Sequence, residues 1–199
     1  MYAEAGLMNH IKSKISEDVV TYTEECSTDI STQYQDGSFT YAICQGRDSA
    51  RHNPSVVNLA RFAFPDYKLF EILHIDDPIG HDTIGIKHVF FNGEGIWLSG
   101  PLSDPKWFPE DVRQTIRKCY SILKAHKDAF RSMQPIPLVD TTQPDFIYAN
   151  YFPTEKKRVW TLFNASDHLY EGEVLEVETV EGGQFYDAWN EQVIEPVVK

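Results

Sequence analysis

Carboxyl side chains cluster directly after a short apolar run near the start of the chain. The run covers residues 19–22, and Glu24 and Glu25 follow it. The polar stretch CSTDISTQYQDGSF comes next and adds Asp29 and Asp36. Cleavage of a glycosidic bond needs two carboxyl groups, one protonated to assist the leaving oxygen and one ionised as nucleophile or base. Glu24 with Asp29 or Asp36 is therefore the candidate catalytic set.

Strand geometry separates the two adjacent glutamates. If the apolar run is a strand that continues through them, Glu24 and Glu25 point to opposite faces, so at most one of them is catalytic. Glu24 shares its face with Val20 and Tyr22 and is the better catalytic candidate, which leaves Glu25 as a substrate contact. The alternative is that these acids are solvated loop residues or helix caps, since the chain holds 30 Asp and Glu residues.

A second acidic cluster lies in HIDDPIGHDTIGIKHVFFNGEGIWLSG. From it we take Asp82 and Glu94 as candidate substrate contacts. Its His and Asp spacing matches no metal-ligand motif, and neither GxGxxG nor GxxxxGK is present, so neither a metal nor a cofactor is expected.

Aromatic residues are abundant, with 12 Phe, 10 Tyr and 4 Trp. The apolar face of a sugar ring packs on an aromatic ring while its hydroxyls meet carboxylates and amides. Trp97 and Trp107 flank the loop after a short strand candidate and are the predicted sugar-stacking residues. Core packing is the alternative for both.

The elements that must position these residues change in character near residue 130. Before it, helical and strand patterns alternate, with helices predicted at 2–15 and 109–130 and strands at 19–22, 67–73 and 95–98. The second helix has Pro109 at its start and an apolar stripe through Val112, Ile116, Cys119, Leu123 and Phe130. Acids at a strand end followed by a long polar loop suit the active rim of a (β/α) barrel.

From residue 133 only short strand-like runs follow, at 146–152, 158–164, 173–180, 184–189 and 192–198. The sequence therefore predicts an α/β class joined to an all-β class. The first domain is a partial (β/α) TIM-type barrel at 1–132, and the second is a small antiparallel β-sandwich at 133–199. We expect the sandwich to melt cooperatively alone and to hold no active site.

Net charge and hydropathy exclude two classes of partner, nucleic acid and the membrane interior. Lys and Arg number 18 against 30 Asp and Glu, giving a net charge of −12, so the chain would repel a phosphate backbone and nucleic acid is not expected. No window approaches the roughly 18 apolar residues of a membrane span. Three cysteines without CxxC pairing predict neither a disulfide framework nor a zinc site.

Several strings carry a family resemblance: YTEECSTDISTQYQDGSFTYAI, RFAFPDYKLFEI, HVFFNGEGIWLSG, YSILKAHKDAFRS and the closing TLFN, GEVLEVE and FYDAWN. Together they resemble the C-terminal portion of a poorly characterised family of glycoside-hydrolase-like proteins, in which a β-sandwich follows a TIM-type barrel. The resemblance implies that Glu24, Asp29 and Asp36 lie at the barrel rim and that residues 92–95 approach a later strand.

A complete barrel takes about 250 residues, so residues 1–130 would supply only its last few βα units. The sequence thus favours a carbohydrate-active protein, a fragment of a glycoside hydrolase that cleaves glycosidic bonds with paired carboxylates. The alternative is a non-catalytic glycan-binding or structural module. Self-association through exposed barrel edges and a partly exposed helix stripe is also expected.

Overall fold

The computed structural model describes residues 2–24, 30–40, 57–72, 83–98, 101–103 and 108–198. In these ranges the chain is a mixed α/β protein in which helices and parallel strands precede antiparallel strands. The helices are α1 (Tyr2–Lys12), α2 (Leu59–Ala63), α3 (Thr83–Asn92), α4 (Glu110–Ala125) and α5 (Lys127–Phe130), with a 3-10 turn at Ser31–Tyr34. The strands are β1 (Tyr22–Glu24), β2 (Gly37–Thr40), β3 (Lys68–Ile72), β4 (Gly95–Trp97), β5 (Ile136–Val139), β6 (Ile147–Pro153), β7 (Arg158–Asn164), β8 (Phe185–Asp187) and β9 (Gln192–Ile194).

Strands β1 to β4 form one parallel sheet in the order β1-β2-β3-β4. The strand predicted at 19–22 is wrong in position, because Val19 and Val20 are exposed and β1 begins at Tyr22. The start is fixed by pairing: Tyr22 lies opposite Gly37 on β2. The carbonyl oxygen of Thr21 before it accepts backbone hydrogen bonds from Asp36 and Gly37, whereas Val19 and Val20 have no partner among the described strands. Sequence propensity identified the strand, but its neighbour sets where it begins.

Helix α4 packs on α3 and on Ile96 of the edge strand β4. Pro109 precedes it, and Val112, Ile116 and Cys119 are buried against Ile86 and other residues of α3. The expected exposure of this stripe is wrong, because two helices and the sheet share one core. His126 separates α4 from α5, so the single predicted helix at 109–130 is two helices.

In the described sheet β4 is an edge strand, and a side chain occupies its outer edge. The backbone N–H of Ile96 donates to the Tyr120 hydroxyl at 2.8 Å, and that hydroxyl donates to the Ile96 carbonyl oxygen at 3.1 Å. A side chain on both groups blocks strand addition at this point of the edge. Another strand could pair with β4 here only if the Tyr120 hydroxyl gave up its two hydrogen bonds to Ile96.

The antiparallel strands form two separate sheets, β5-β6-β7 and the hairpin β8-β9. The strand predicted at 173–180 is wrong, because these residues form no strand. They nevertheless lie close to the sheet β5-β6-β7. There Thr142 N–H donates to the Val174 carbonyl oxygen at 3.1 Å, and Arg158 Nη1 donates to the Glu178 carbonyl oxygen at 3.4 Å. The segment is extended without continuous strand pairing.

Sheet β5-β6-β7 packs directly on the α/β part. Asn150 Nδ2 and Thr161 Oγ1 both donate to the Phe91 carbonyl oxygen at the end of α3, at 3.0 and 2.6 Å. Phe152 of β6 is fully buried and its ring lies 5.0 Å from that of Phe130. The residues on either side of the predicted domain boundary therefore share a core.

Among the described residues, no helix combines the length and the apolar character needed to cross a lipid bilayer.

Candidate functional site

The two faces of the parallel sheet differ in how far their side chains are buried. The strand register places Glu24, Phe39, Phe70 and Gly95 in one row across the sheet, on the same face. The residues two positions away along the strands, Tyr22 and Trp97 among them, point to that face as well. Among the described residues no helix buries this face, and we call it the open face.

Aromatic rings dominate the open face. Tyr22 is 58% exposed and Trp97 is 42% exposed. The Phe39 ring stands between them, 5.9 Å from the Tyr22 ring in an edge-on arrangement and 6.0 Å from the Trp97 ring, nearly parallel to it. Exposed apolar rings grouped on one surface are typical of a binding site.

Glu24 ends β1 beside these rings and is exposed. It lies opposite Phe39 in the register, at the carboxyl end of its strand. In barrels of parallel strands this end carries the active residues. Of the two predicted catalytic residues that the structure describes, Glu24 and Asp36, Glu24 is the one on an exposed face beside aromatic side chains.

Asp36 lies at the other end of the sheet. It precedes β2, level with Thr21, which puts it about three residues, or roughly 10 Å, along the strands from Glu24. Its Oδ2 accepts hydrogen bonds from Thr21 N–H at 2.7 Å, from Thr21 Oγ1 at 2.9 Å and from Lys12 Nζ at 2.5 Å. The prediction that Glu24 and Asp36 form a catalytic pair is therefore wrong, because the sheet holds their carboxyl groups at opposite ends of its strands.

The protonation of Asp36 fits an anchoring role. Partial burial opposes its ionisation, but the hydrogen bonds from Lys12 and Thr21 outweigh burial and hold the pKa of Asp36 below its ordinary value. The carboxylate borders a cavity of about 520 Å³ between α1, the 3-10 turn and the start of β3, with Tyr34, Asp66 and Tyr67 among the lining residues. This cavity is at the amino ends of the strands, away from Glu24.

Glu94 faces the opposite side of the sheet, and only 3% of it is exposed. Glu71 of β3, Arg61 of α2 and Asn58, which precedes α2, lie around it. Asn58 Nδ2 donates to Glu71 Oε1 at 3.3 Å, and Arg61 donates through Nη2 to the Phe130 carbonyl oxygen at 2.6 Å. Glu94, predicted to contact substrate, is thus part of a buried polar layer rather than of the open face.

Burial, and then the nearby Glu71 carboxyl, raise the pKa of Glu94 well above its ordinary value of 4.5. The Arg61 guanidinium and the Asn58 amide oppose this shift without cancelling it. Burial also lowers the pKa of Arg61, because the charged form loses its hydration. The Glu94 carboxyl is accordingly protonated at a pH where an exposed glutamate is ionised.

His88 of the second acidic cluster is buried, with its ring edge-on to Phe163 at 4.4 Å. Within the described ranges, no three His, Cys, Asp or Glu side chains come together in a way that could hold a metal ion. The remaining predicted site residues, Glu25, Asp29, Asp82 and Trp107, lie outside the described residues.

Sequence reasoning found only part of the open face. It placed Tyr22 on the face of Glu24 and Trp97 within the predicted strand 95–98, and both residues lie on the open face. It missed Phe39 and Phe70, which belong to the same face. The available signal was the alternation within YTE, GSF, KLF and GIW, which puts one aromatic residue on a given face of each strand. Only the strand register shows that these four faces are the same face.

Comparisons of this chain with protein-family models, with curated proteins and with solved structures found no match.

Proposed function

We propose that the chain is carbohydrate-active, that a neutral sugar binds on the open face, and that Glu24 is the carboxyl group that acts on the glycosidic bond. The observation that carries the proposal is the placement of an exposed carboxyl beside exposed aromatic rings on one sheet face. A sugar ring has an apolar face for the rings of Phe39 and Trp97 and hydroxyls for the carboxyl group.

Charge favours a neutral sugar over an acidic one. Glu24 contributes a negative group to the open face, and the whole chain carries a net charge of −12. A uronic acid or sulfated sugar would meet like charge at short range. The basic Lys68 shares this face, but its Nζ donates to the Pro65 carbonyl oxygen at 2.6 Å.

Cleavage requires a second carboxyl group near Glu24. Because the sheet holds Asp36 at its other end, Asp29 is the partner that the proposal retains. One group would protonate the leaving oxygen, and the other would attack the anomeric carbon or activate water.

A finer fold proposal accompanies this function. Parallel strands in consecutive order with helices on one face are the arrangement of successive βα units in a (β/α) barrel, whose inner face would be the open face. The antiparallel strands that follow would correspond to the β-sandwich of the glycoside-hydrolase-like family that the sequence resembles. Strand β1 then offers the edge for self-association, since Tyr120 blocks β4 at Ile96.

Turnover of a panel of aryl glycosides and neutral oligosaccharides tests the catalytic proposal. We expect product release by the wild-type chain and a loss of at least about 100-fold in kcat for Glu24→Gln, the usual scale of lost acid–base catalysis. Glu195→Gln, a change at an exposed glutamate in the C-terminal segment, should retain wild-type turnover. Turnover that is unchanged in Glu24→Gln would remove Glu24 from the mechanism.

A non-catalytic glycan-binding module is the second candidate. The observation in its favour is that, among the described residues, the register places no second carboxyl in the row of Glu24. Binding of a neutral oligosaccharide without any product release, by wild type and Glu24→Gln alike, would select this candidate over the hydrolase.

A further inference from the structure

A glycine lies under the aromatic rings of the open face. Gly95 of β4 pairs with Phe70 of β3 in the sheet register. A β-carbon added to Gly95 would lie 2.5 Å from Cδ1 and 2.9 Å from Cε1 of the Phe70 ring. Such distances are far below van der Waals contact, so the Phe70 ring lies directly against the backbone of β4.

The obstruction at Gly95 is local and confined to a side chain. Its φ lies outside the left-handed region, so alanine can adopt its backbone conformation, and Phe70 is 37% exposed, so its ring can turn away from the sheet. Gly37 is different, because a β-carbon there would lie 2.3 Å from the Lys68 backbone oxygen. Alanine at Gly95 should therefore preserve the fold and displace one ring.

We infer that Gly95 is a positioning residue of the sugar site: without a β-carbon it keeps the Phe70 ring down on the sheet and leaves room for a sugar ring above it. The inference rests on the proposed function. Phe70 belongs to the row of Glu24, and β3 lies between the strand of Glu24 and that of Trp97. A Phe70 ring raised from the sheet would stand between the carboxyl group and the indole.

The required displacement is large enough to matter. To bring the 2.5 Å approach to an ordinary contact of 3.4 Å or more, the ring must move by about 1 Å. A sugar stacked on the face is held by contacts that weaken steeply over such a distance. The variant would therefore lose the flat surface on which the sugar stacks, although every side chain of the wild-type site would still be present.

The ring position can be measured without any sugar. In a proton NMR spectrum of the full chain, the Phe70 ring current should shift the Gly95 α-protons upfield, and Phe70→Ala should remove that shift. The same α-proton positions in wild type and Phe70→Ala would overturn the inference, whether or not the chain binds sugar.

Calorimetric titration with cellohexaose, xylohexaose and mannohexaose tests the role in binding. We expect Gly95→Ala to weaken binding of whichever of these the wild type binds by about three- to ten-fold, the scale of one aromatic contact. In a Phe70→Ala background, adding Gly95→Ala should change the affinity no further, because it acts through that ring.

Gly6→Ala is the matched control, since nothing lies within 4 Å of a β-carbon at Gly6. Its affinity should equal that of the wild type. If the wild type binds and Gly95→Ala binds equally well, the inference fails while the proposed function stands. If the wild type binds none of the three sugars, the proposed function fails, and the role of Gly95 in binding fails with it.

Discussion

Asn150 is the residue through which the antiparallel sheet holds both β5 and helix α3. Its Oδ1 accepts a hydrogen bond from Leu138 N–H at 3.0 Å, and its Nδ2 donates to the Phe91 carbonyl oxygen. Leu138 has a φ of 49°, a left-handed conformation that costs a leucine about 1–2 kcal/mol. One fully buried amide thus compensates a strained strand and caps a helix end.

We predict that Asn150→Ala lowers the free energy of unfolding by about 2–3 kcal/mol, because it leaves a buried cavity and the Leu138 N–H without its acceptor. Thr161→Val removes one bond to the same Phe91 carbonyl, which keeps its other donor, so a loss of only about 1 kcal/mol is expected. Urea denaturation of both variants measures the difference. Equal effects of the two substitutions would contradict the bridging role of Asn150.

Glu94 makes stability depend on pH. Its pKa is raised in the folded chain, above the ordinary value of 4.5 that holds when the chain is unfolded. Below pH 4.5 both states are protonated, and as the pH rises above that value the unfolded state alone releases its proton. The stability present at low pH is therefore lost as the pH rises through the folded pKa.

Glu94→Gln keeps this group neutral at every pH. We predict that the free energy of unfolding of the variant, relative to wild type, rises between pH 4.5 and neutral pH, by at most about 1.4 kcal/mol per pH unit. Glu195→Gln, at an exposed position, should show no such trend. A constant difference between Glu94→Gln and wild type across this range would mean that Glu94 ionises normally in the folded chain.

At the scale of elements, helix α3 ends where Gly93 reverses the chain into β4. Gly93 has a φ of 68°, and a β-carbon there would lie 2.8 Å from Cδ1 of Phe130 and 3.2 Å from Cζ of Phe152. Of the two glycines in FNGEG, Gly93 thus forms the turn, whereas Gly95 is a strand residue under the Phe70 ring.

We predict that Gly93→Ala destabilises the chain by about 2–4 kcal/mol, since it adds left-handed strain to overpacking of two core rings. Gly6→Ala, inside α1 with open space around it, should instead stabilise by about 0.5–1 kcal/mol. Thermal unfolding followed by circular dichroism compares the two. A Gly93→Ala variant as stable as wild type would show that the α3–β4 turn relaxes freely.

The sequence predicts elements well where their signals are local. Helix α4 was placed from Pro109 at its start and an apolar stripe, and the structure buries Val112, Ile116 and Cys119 of that stripe, although it divides the predicted helix at His126. Strand β1 was misplaced by three residues because β-branched Val19 and Val20 satisfy strand propensity without having a neighbour. Pairing is non-local, so a single strand pattern does not contain it.

The same limit applies to the candidate site. Glu24 and Trp97 were identified individually, but the face they share depends on a register across four strands. Asp36 was placed near Glu24 because both follow the same apolar run in sequence, whereas parallel pairing sends them to opposite ends of the sheet. Glu94 was taken as accessible because the FNGEG string gives no sign of which face it meets.

At the scale of the whole molecule, the two halves share a buried cluster of apolar side chains. The face of β6 and β7 that includes Phe152 is covered by helices α3 and α5, and the Phe152 ring also lies 5.9 Å from that of Phe62. The sequence-based expectation that residues 133–199 fold alone does not fit this packing, because that face would be left in water.

We predict that the isolated segment 133–199 shows no cooperative thermal transition and binds a hydrophobic dye, whereas the full chain melts cooperatively. Exposing several large apolar side chains at roughly 1.5–3 kcal/mol each removes most of the stability of a small domain. Circular dichroism and dye fluorescence on both proteins make the comparison. A sharp melt of the isolated segment would establish it as an independent domain.

The central claim is that the open face of the parallel sheet binds a neutral sugar. Calorimetric titration of wild type, Tyr22→Ala and Tyr186→Ala with the three hexasaccharides tests it most directly, because the two tyrosines are 58% and 53% exposed and differ in location. We predict that Tyr22→Ala weakens binding by about three- to ten-fold, while Tyr186→Ala, on the β8-β9 hairpin, binds like wild type. No binding by the wild type, or equal affinity in all three proteins, would contradict the account.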